Sequence, residues 1–296
     1  PHESVLTLEE VHKAIECASQ LGIRHIRFTG GEPTVRKGLL GLIERTAQTP
    51  GIESVALTTN AILLPGMAAD LKAAGLSRVN ISLDTLDAEQ YRFITRLGNL
   101  DDALKGIEAA LSAGLFPVKL NTVVVRSLNQ DLLSFARLTV DAPLHVRFIE
   151  YMPIGNGDDC GGCGWGPADV VPAKEIIETI SAQAQSIGLG SLQPAIATPD
   201  GWGPAQYYRL PGAQGTVGVI SAISNHFCAS CNRLRLTADG KIKPCLFSDT
   251  EYDIRSALRK DSEEEVLSVF KAALFHKPSG HEHRVGTRRM MSQVGG

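Results

Sequence analysis

The chain has 296 residues, of which 43% are hydrophobic, 21% charged and 5% aromatic, with a formal net charge of −3. That length and apolar content suit one large α/β domain, or a large domain with a smaller one attached, and exclude wholesale disorder. No apolar run approaches the roughly 18 residues that cross a bilayer, no secretory pattern opens the chain, and the charge excludes a broadly basic nucleic-acid binder.

The sequence opens at Pro1 rather than Met, from which an absent N-terminal piece is expected. Thr7-Leu8-Glu9-Glu10 has the capping-box pattern, and Val11, Ala14, Ile15, Ala18 and Leu21 then recur at helical spacing up to Gly22. A strand-like run at 25–29 follows and closes on Gly30-Gly31. The unit repeats, with strands expected at 54–59, 78–83, 118–125 and 145–149, and helices near 38–48, 66–74, 100–113 and 131–139. Gly22, Gly75 and Gly114 mark helix ends. Five strands alternating with helices indicate a parallel sheet, whose ligands bind at the C-terminal strand ends. Those ends are Gly30-Gly31-Glu32, Thr58-Thr59-Asn60, Ser82-Leu83-Asp84, Asn121 and Glu150-Tyr151-Met152.

After Met152 the texture changes, with six glycines between 155 and 167. A helix is expected near 173–186, then β-like runs at 206–210 and 215–223. Runs 234–238 and 241–247, joined by Asp239-Gly240, read as a hairpin. Helices near 252–259 and 262–275 precede a His/Arg-rich stretch that ends in Gly295-Gly296.

The six cysteines are clustered in a way that favours metal or redox chemistry in a reducing compartment, and so a cytoplasmic home. Cys228 and Cys231, followed by Cys245, form a C-x2-C-x13-C set that can converge on one metal centre. Three thiolates leave a position open on a 4Fe–4S cluster; a zinc completed by His226, Cys160 or Cys163 is the alternative. Arg233 and Arg235 share a strand face and suit an anion beside that centre. Cys160-Gly161-Gly162-Cys163 is either a zinc clip or redox pair or a loop with incidental thiols, and Cys17 reads as a small buried side chain. At Gly30-Gly31-Glu32, the glycines permit close backbone approach to a ligand and Glu32 offers a carboxylate for an amine.

Phe28-Thr29-Gly30-Gly31-Glu32-Pro33, Leu57-Thr58-Thr59-Asn60, Asn80-Ile81-Ser82-Leu83-Asp84 and Val118-Lys119-Leu120-Asn121 follow one another in order. Arg147-Phe148-Ile149-Glu150-Tyr151-Met152-Pro153, Phe227-Cys228 through Arg235, Asp239-Gly240 and the closing Gly295-Gly296 continue the series. Together they resemble the GTP 3′,8-cyclases, the radical S-adenosylmethionine (SAM) enzymes that begin molybdenum-cofactor synthesis. The resemblance implies conversion of GTP to (8S)-3′,8-cyclo-7,8-dihydroguanosine 5′-triphosphate, a lyase reaction. In the family, a SAM-derived radical takes a hydrogen from ribose C3′ and the sugar then closes onto guanine C8. It implies an incomplete (β/α)6 TIM-like barrel, here with its first strand missing, and a C-terminal α+β extension with a cluster-binding hairpin. The corresponding domains are 1–153, a partial radical SAM barrel, and 154–296, a cluster- and GTP-binding region with a Gly-Gly tail that reaches towards the active site.

By motif, Cys228, Cys231 and Cys245 resemble the ligands of a C-terminal 4Fe–4S cluster. Gly31, Ser82 and Met152 match SAM positions, and Arg27, Thr58, Lys119, Arg233 and Arg235 match GTP positions. The family's second 4Fe–4S cluster sits on a C-x3-C-x2-C loop, and no such motif occurs in these 296 residues. These 296 residues alone are therefore expected to be inactive in radical generation, and a non-catalytic purine-nucleotide binding module with a three-cysteine metal site is the competing class. A reductant, a downstream pterin-forming enzyme and a homodimer are partners that the resemblance alone implies.

Overall fold

A computed structural model describes residues 5–153, 164–280, 289 and 291–294. The expected Cys160–Cys163 pair and the Gly295-Gly296 end lie outside the described residues. The first half runs α1 (Leu8–Gln20), β1 (His25–Phe28), α2 (Leu39–Gln48), β2 (Ser54–Thr59), α3 (Ala68–Ala73) and β3 (Arg78–Ser82). It continues with α4 (Ala88–Thr95), α5 (Leu100–Ser112), β4 (Val118–Val124), α6 (Leu132–Asp141) and β5 (Leu144–Glu150). The second half holds α7 (Ala173–Ser186), β6 (Gln193–Pro194), β7 (Gln206–Arg209), β8 (Thr216–Ile220), β9 (Arg235–Leu236) and β10 (Lys241–Lys243). After these come β11 (Tyr252–Asp253), α8 (Arg255–Arg259), α9 (Glu263–Phe275) and α10 (Met291–Val294).

The capping box forms: Thr7 Oγ1 accepts the Glu10 N–H at 3.1 Å, and Glu10 Oε2 accepts the Thr7 N–H at 2.8 Å. At the end of α3, Gly75 has φ +96°, and a Cβ there would stand 2.6 Å from the Cβ of Ala47. Only glycine provides both the left-handed turn and the close approach to α2. Helix α4, which sequence periodicity did not reveal, starts at Asp87, whose side chain accepts the Gln90 N–H.

Eight strands form one sheet in the order β1-β2-β3-β4-β5-β8-β7-β6. β1 to β5 and β8 run parallel, and β7 and β6 close the edge antiparallel. The sequence reading found five parallel strands; the sixth, β8, comes from the second half and lies against β5. The fold is thus α/β with a mostly parallel sheet.

Alternate residues of each strand face opposite ways. Val55, Leu57, Val79, Ile81, Val118, Leu120, Val146, Phe148, Val217 and Val219 turn towards the helices. There they pack with Leu39 and Ile43 of α2, Ile107 of α5, Phe135 of α6 and Ile176 of α7 in the main core. The other face is polar, as described below.

A second core joins the two ends of the chain. Ala14, Cys17 and Ala18 of α1 pack with Ile242, Ile254, Leu258, Val266 and Phe270. Cys17 is buried and its thiol pKa is raised by that burial, as expected of a packing residue. A small antiparallel sheet, β11-β10-β9, lies beside this core. Its β9–β10 pair is shorter than the hairpin expected from sequence, because Pro244 has no N–H with which to continue the ladder. Residues 252 and 253, expected in a helix, pair with β10 instead.

Candidate functional site

The polar face of the sheet is built by register. Arg27 lies opposite Ala56, Ala56 opposite Arg78, Thr58 opposite Asn80, Asn80 opposite Lys119, and Asn121 opposite Arg147. Strand alternation therefore delivers Arg27, Thr58, Arg78, Asn80, Lys119, Asn121 and Arg147 to one chamber. Arg147, 5% exposed, donates from Nε to Asn121 Oδ1 at 2.8 Å and from Nη2 to Asn80 Oδ1 at 2.7 Å. Arg78 Nη1 donates to Ser54 Oγ at 3.3 Å. Arg233 and Arg235 approach from the second half, and Arg233 lies 5.6 Å above the Phe227 ring.

Six cations thus share one space, and burial followed by mutual repulsion sets their protonation. Arg27 keeps an exposed side chain beside Arg147, Arg233, Arg78 and Arg235. Partial desolvation of the guanidinium within this site, followed by these like charges, lowers its pKa to about 9. Lys119, 3% exposed, is lowered to about 7 by burial and by Arg147, Arg78 and Arg27, with Asp200 acting in the opposite sense. Among the described residues, the Arg27 and Arg235 side chains have no hydrogen-bond or ion-pair partner, and the buried Thr58 hydroxyl also lacks one. Like charges held side by side and an unpaired buried hydroxyl are costly, so this chamber suits a ligand with several negative charges and acceptors.

The cysteine region adjoins the cations. Cys228 begins a 3-10 turn, Cys228–Ser230, and its carbonyl accepts the Cys231 N–H at 3.0 Å. Lys277 Nζ contacts Cys231 Sγ at 3.6 Å, the Arg233 carbonyl at 2.8 Å and the carbonyl of Pro244, which precedes Cys245, at 2.7 Å. Burial would raise the Cys231 thiol, but the Arg233 N–H, Lys277 and the Arg233 charge outweigh it and lower the pKa. Arg235 feels both Cys231 and Cys245. Among the described residues, no three His, Cys, Asp or Glu side chains form a cage for one metal ion. A tetrahedral zinc site needs such a cage, whereas a four-iron cluster places its thiolates on separate irons.

Glu150, fully buried at the end of β5, holds this region to the sheet. Its Oε2 accepts the Ile223 and Ser224 N–H groups at 2.7 and 2.8 Å, and Oε1 accepts the Ala173 N–H at 2.7 Å. The Ser224 hydroxyl also donates to it.

Gly31, Ser82 and Met152 lie at or just after the ends of β1, β3 and β5, and no hydrogen bond links them among the described residues. A Cβ on Gly30 or Gly31 would meet open space. Glu32, expected to take an amine, instead accepts from the Thr34 N–H and hydroxyl and the Thr59 hydroxyl at Oε1, and from the Asn60 N–H at Oε2. Its carboxylate holds the strand-end loops together, and Oε2 accepts only the Asn60 N–H among the described residues. Met152, Cys245, Ile223 and Met291 pack around a small core of Leu246, Phe247 and Val294, so α10 shares this core with the third cysteine and the end of β5. Met152 also lines a cavity of about 200 Å³ with Tyr151, Trp165, Met291 and Asp84, whose pKa burial raises to about 6.

Residues 1–138 match the Radical SAM superfamily, and residues 144–283 match Molybdenum Cofactor Synthesis C. GTP 3′,8-cyclase of Pelotomaculum thermopropionicum is 49% identical over 300 residues, covering 100% of this chain and 89% of the relative. That of Heliobacterium modesticaldum is 50% identical over 301 residues, with the same coverage of each. The chain belongs to the GTP 3′,8-cyclase family.

GTP 3′,8-cyclases are radical SAM enzymes, so SAM and 4Fe–4S chemistry come with this membership. Among solved structures, coproporphyrinogen III oxidase from Escherichia coli, a radical SAM enzyme, aligns at a TM-score of 0.45 and 16% identity over 65% of this chain and 47% of its own. Relative to the residues singled out in the sequence of this GTP 3′,8-cyclase family member, the structure adds Arg78, Asn80 and Arg147 to the chamber. Their signal was present as polar residues at every second position of β3, β4 and β5. Parallel strands covered on both faces ordinarily read as continuous apolar runs. No described helix is long and apolar enough to cross a membrane.

Proposed function

We propose that the chamber binds the triphosphate of GTP and that the chain acts in the conversion of GTP to its 3′,8-cyclic product in molybdenum-cofactor synthesis. The observation that carries this reading is the set of six neighbouring cations in which Arg27 and Arg235 lack partners among the described residues. Arg147, fixed by Asn80 and Asn121, presents a preorganised guanidinium, and Arg27 and Arg78 add forked donors. Lys119 supplies a charge that rises with phosphate binding, and Thr58 offers its free hydroxyl. Arg233 and Arg235 stand between the chamber and the cysteines, and so hold the nucleotide facing the metal centre.

Cys228, Cys231 and Cys245 would hold a 4Fe–4S cluster with one iron free of protein ligands. Lys277, at Cys231 Sγ, offsets the thiolate charge. SAM, bound at Gly31, Ser82 and Met152, would supply the radical chemistry when its own cluster is present. The open space at Gly30-Gly31 and the exposed Ser82 leave room for it. In this reading the parallel strands form an incomplete (β/α)6 barrel, and residues 154–296 form the cluster- and GTP-binding extension.

The test is anaerobic reconstitution followed by iron and sulfide analysis and GTP binding by calorimetry. About four irons and four sulfides per chain are expected, with loss in Cys245→Ser. GTP should bind at least tenfold more tightly than GMP. Zinc without sulfide, or equal affinity for the two nucleotides, overturns the assignment.

A further inference from the structure

The connection between β6 and β7 crosses the chamber. Its feet are fixed: Pro194 pairs with Tyr208, and the Ala195 N–H donates to the Tyr207 carbonyl at 2.9 Å. Its tip, residues 200–203, reaches the cations. The Asp200 carbonyl accepts from Lys119 Nζ at 2.5 Å. The Asp200 carboxylate favours the charged forms of both Arg78 and Lys119. A Cβ on Gly201, which has φ +126°, would lie 2.9 Å from Lys119 Nζ and 3.2 Å from Arg78 Nε. A Cβ on Gly203 would lie 3.9 Å from Arg147 Nη1 and 4.0 Å from Arg233 Nη2. Glycine at 201 is therefore what allows the tip to approach so closely. Trp202, 58% exposed, stacks on His25 with ring centroids 4.7 Å apart and planes at 24°.

We propose that residues 200–203 form a counter-charge strap that makes the chamber selective for polyphosphate. In the free protein the Asp200 carbonyl holds Lys119 while its carboxylate acts on Arg78 and Lys119 through space, and the strap yields only to a ligand that brings several phosphates. This rests on the chamber being the nucleotide site. A single phosphate would trade one anion for another at Arg78 and Lys119 and would also have to break the Trp202–His25 stack. A triphosphate gains Arg27, Arg147, Arg233 and Arg235 as well, which offsets the displacement. The strap thus penalises short phosphates more than long ones. Its exposed tip and fixed feet let it move while the sheet stays intact.

The chain has two tryptophans, so Trp165→Phe leaves Trp202 as the sole reporter. This variant is titrated with inorganic tripolyphosphate, GTP and orthophosphate at pH 8 and low salt, with binding followed in parallel by calorimetry. Tripolyphosphate and GTP should shift Trp202 emission and raise its quenching by acrylamide; orthophosphate should not. Asp200→Asn in the same background should bind tripolyphosphate about three- to fivefold more tightly, the scale of an exposed ion pair. It should also narrow the preference over orthophosphate. Gly201→Ala, which strains the tip at a φ of +126° that alanine rarely adopts and crowds Lys119 Nζ, should act in the same direction. If calorimetry shows tripolyphosphate binding while Trp202 emission stays fixed, or if Asp200→Asn binds no more tightly, the strap is refuted and the chamber reading stands. If neither GTP nor tripolyphosphate binds, both fall.

Discussion

At the residue scale, chemistry in the chamber follows from placing like charges together. Lys119 has a free-state pKa of about 7, lowered by burial and three guanidinium neighbours. A bound polyphosphate favours its charged form, so its bound pKa is higher and binding takes up a proton between the two values. Affinity for tripolyphosphate should therefore fall between pH 7.5 and 9, by up to about tenfold per unit. Calorimetry in buffers of different ionisation enthalpy checks the proton uptake, and Lys119→Arg should flatten the profile. Arg147→Met makes a complementary case. It leaves the Asn80 and Asn121 amide oxygens without their donor, which should cost about 1–3 kcal/mol in denaturant unfolding. Tripolyphosphate affinity should drop about 10- to 100-fold through loss of charge-assisted bonds.

At the element scale, Glu150 shows how the sheet controls the cysteine region. One carboxylate accepts three backbone N–H groups and a hydroxyl from α7 and the segment before Cys228. Glu150→Ala leaves these part-buried donors without their acceptor, with an expected loss of about 1–3 kcal/mol in unfolding free energy. Iron incorporation by the folded variant should fall too, because Cys228 and Cys231 follow the released segment; unchanged iron content would count against the anchoring role. Elements were also where sequence reading succeeded and failed for visible reasons. Ser54–Thr59 and Ala173–Ser186 were legible end to end, since alternation or helical spacing lies between clear turn signals. In α4 only Tyr91 is buried, too little for a periodic stripe. The partnership of β8 with β5 joins residues some seventy positions apart, which no local pattern encodes. Arg27, Thr58 and Lys119 were legible through motif, but Arg78 and Arg147 needed the register to show which strand face turns inward. The approach of residues 200–203 to the chamber was invisible in a turn-rich stretch without periodicity.

At the scale of the whole molecule, the cysteine inventory limits what these residues can do. Cys17 is locked in the second core, and the other cysteines lie after β5. The 296-residue polypeptide should therefore form no 5′-deoxyadenosine from SAM under anaerobic reducing conditions; chromatographic detection of that product would refute this. The second core is equally testable. Phe270→Ala should cost about 3–5 kcal/mol and speed hydrogen exchange in α1, although the substitution lies in α9.

That union of α1 with α8, α9 and β10 has a consequence for biosynthesis. The apolar face of α1 is among the earliest parts of this sequence to leave the ribosome, and its partners are among the last. At roughly 5–20 residues per second, Ala14 and Ala18 would wait about 10 to 50 seconds for Phe270 and Ala273 to emerge. During that interval α1 is a bare amphipathic segment, a natural client for a holding chaperone.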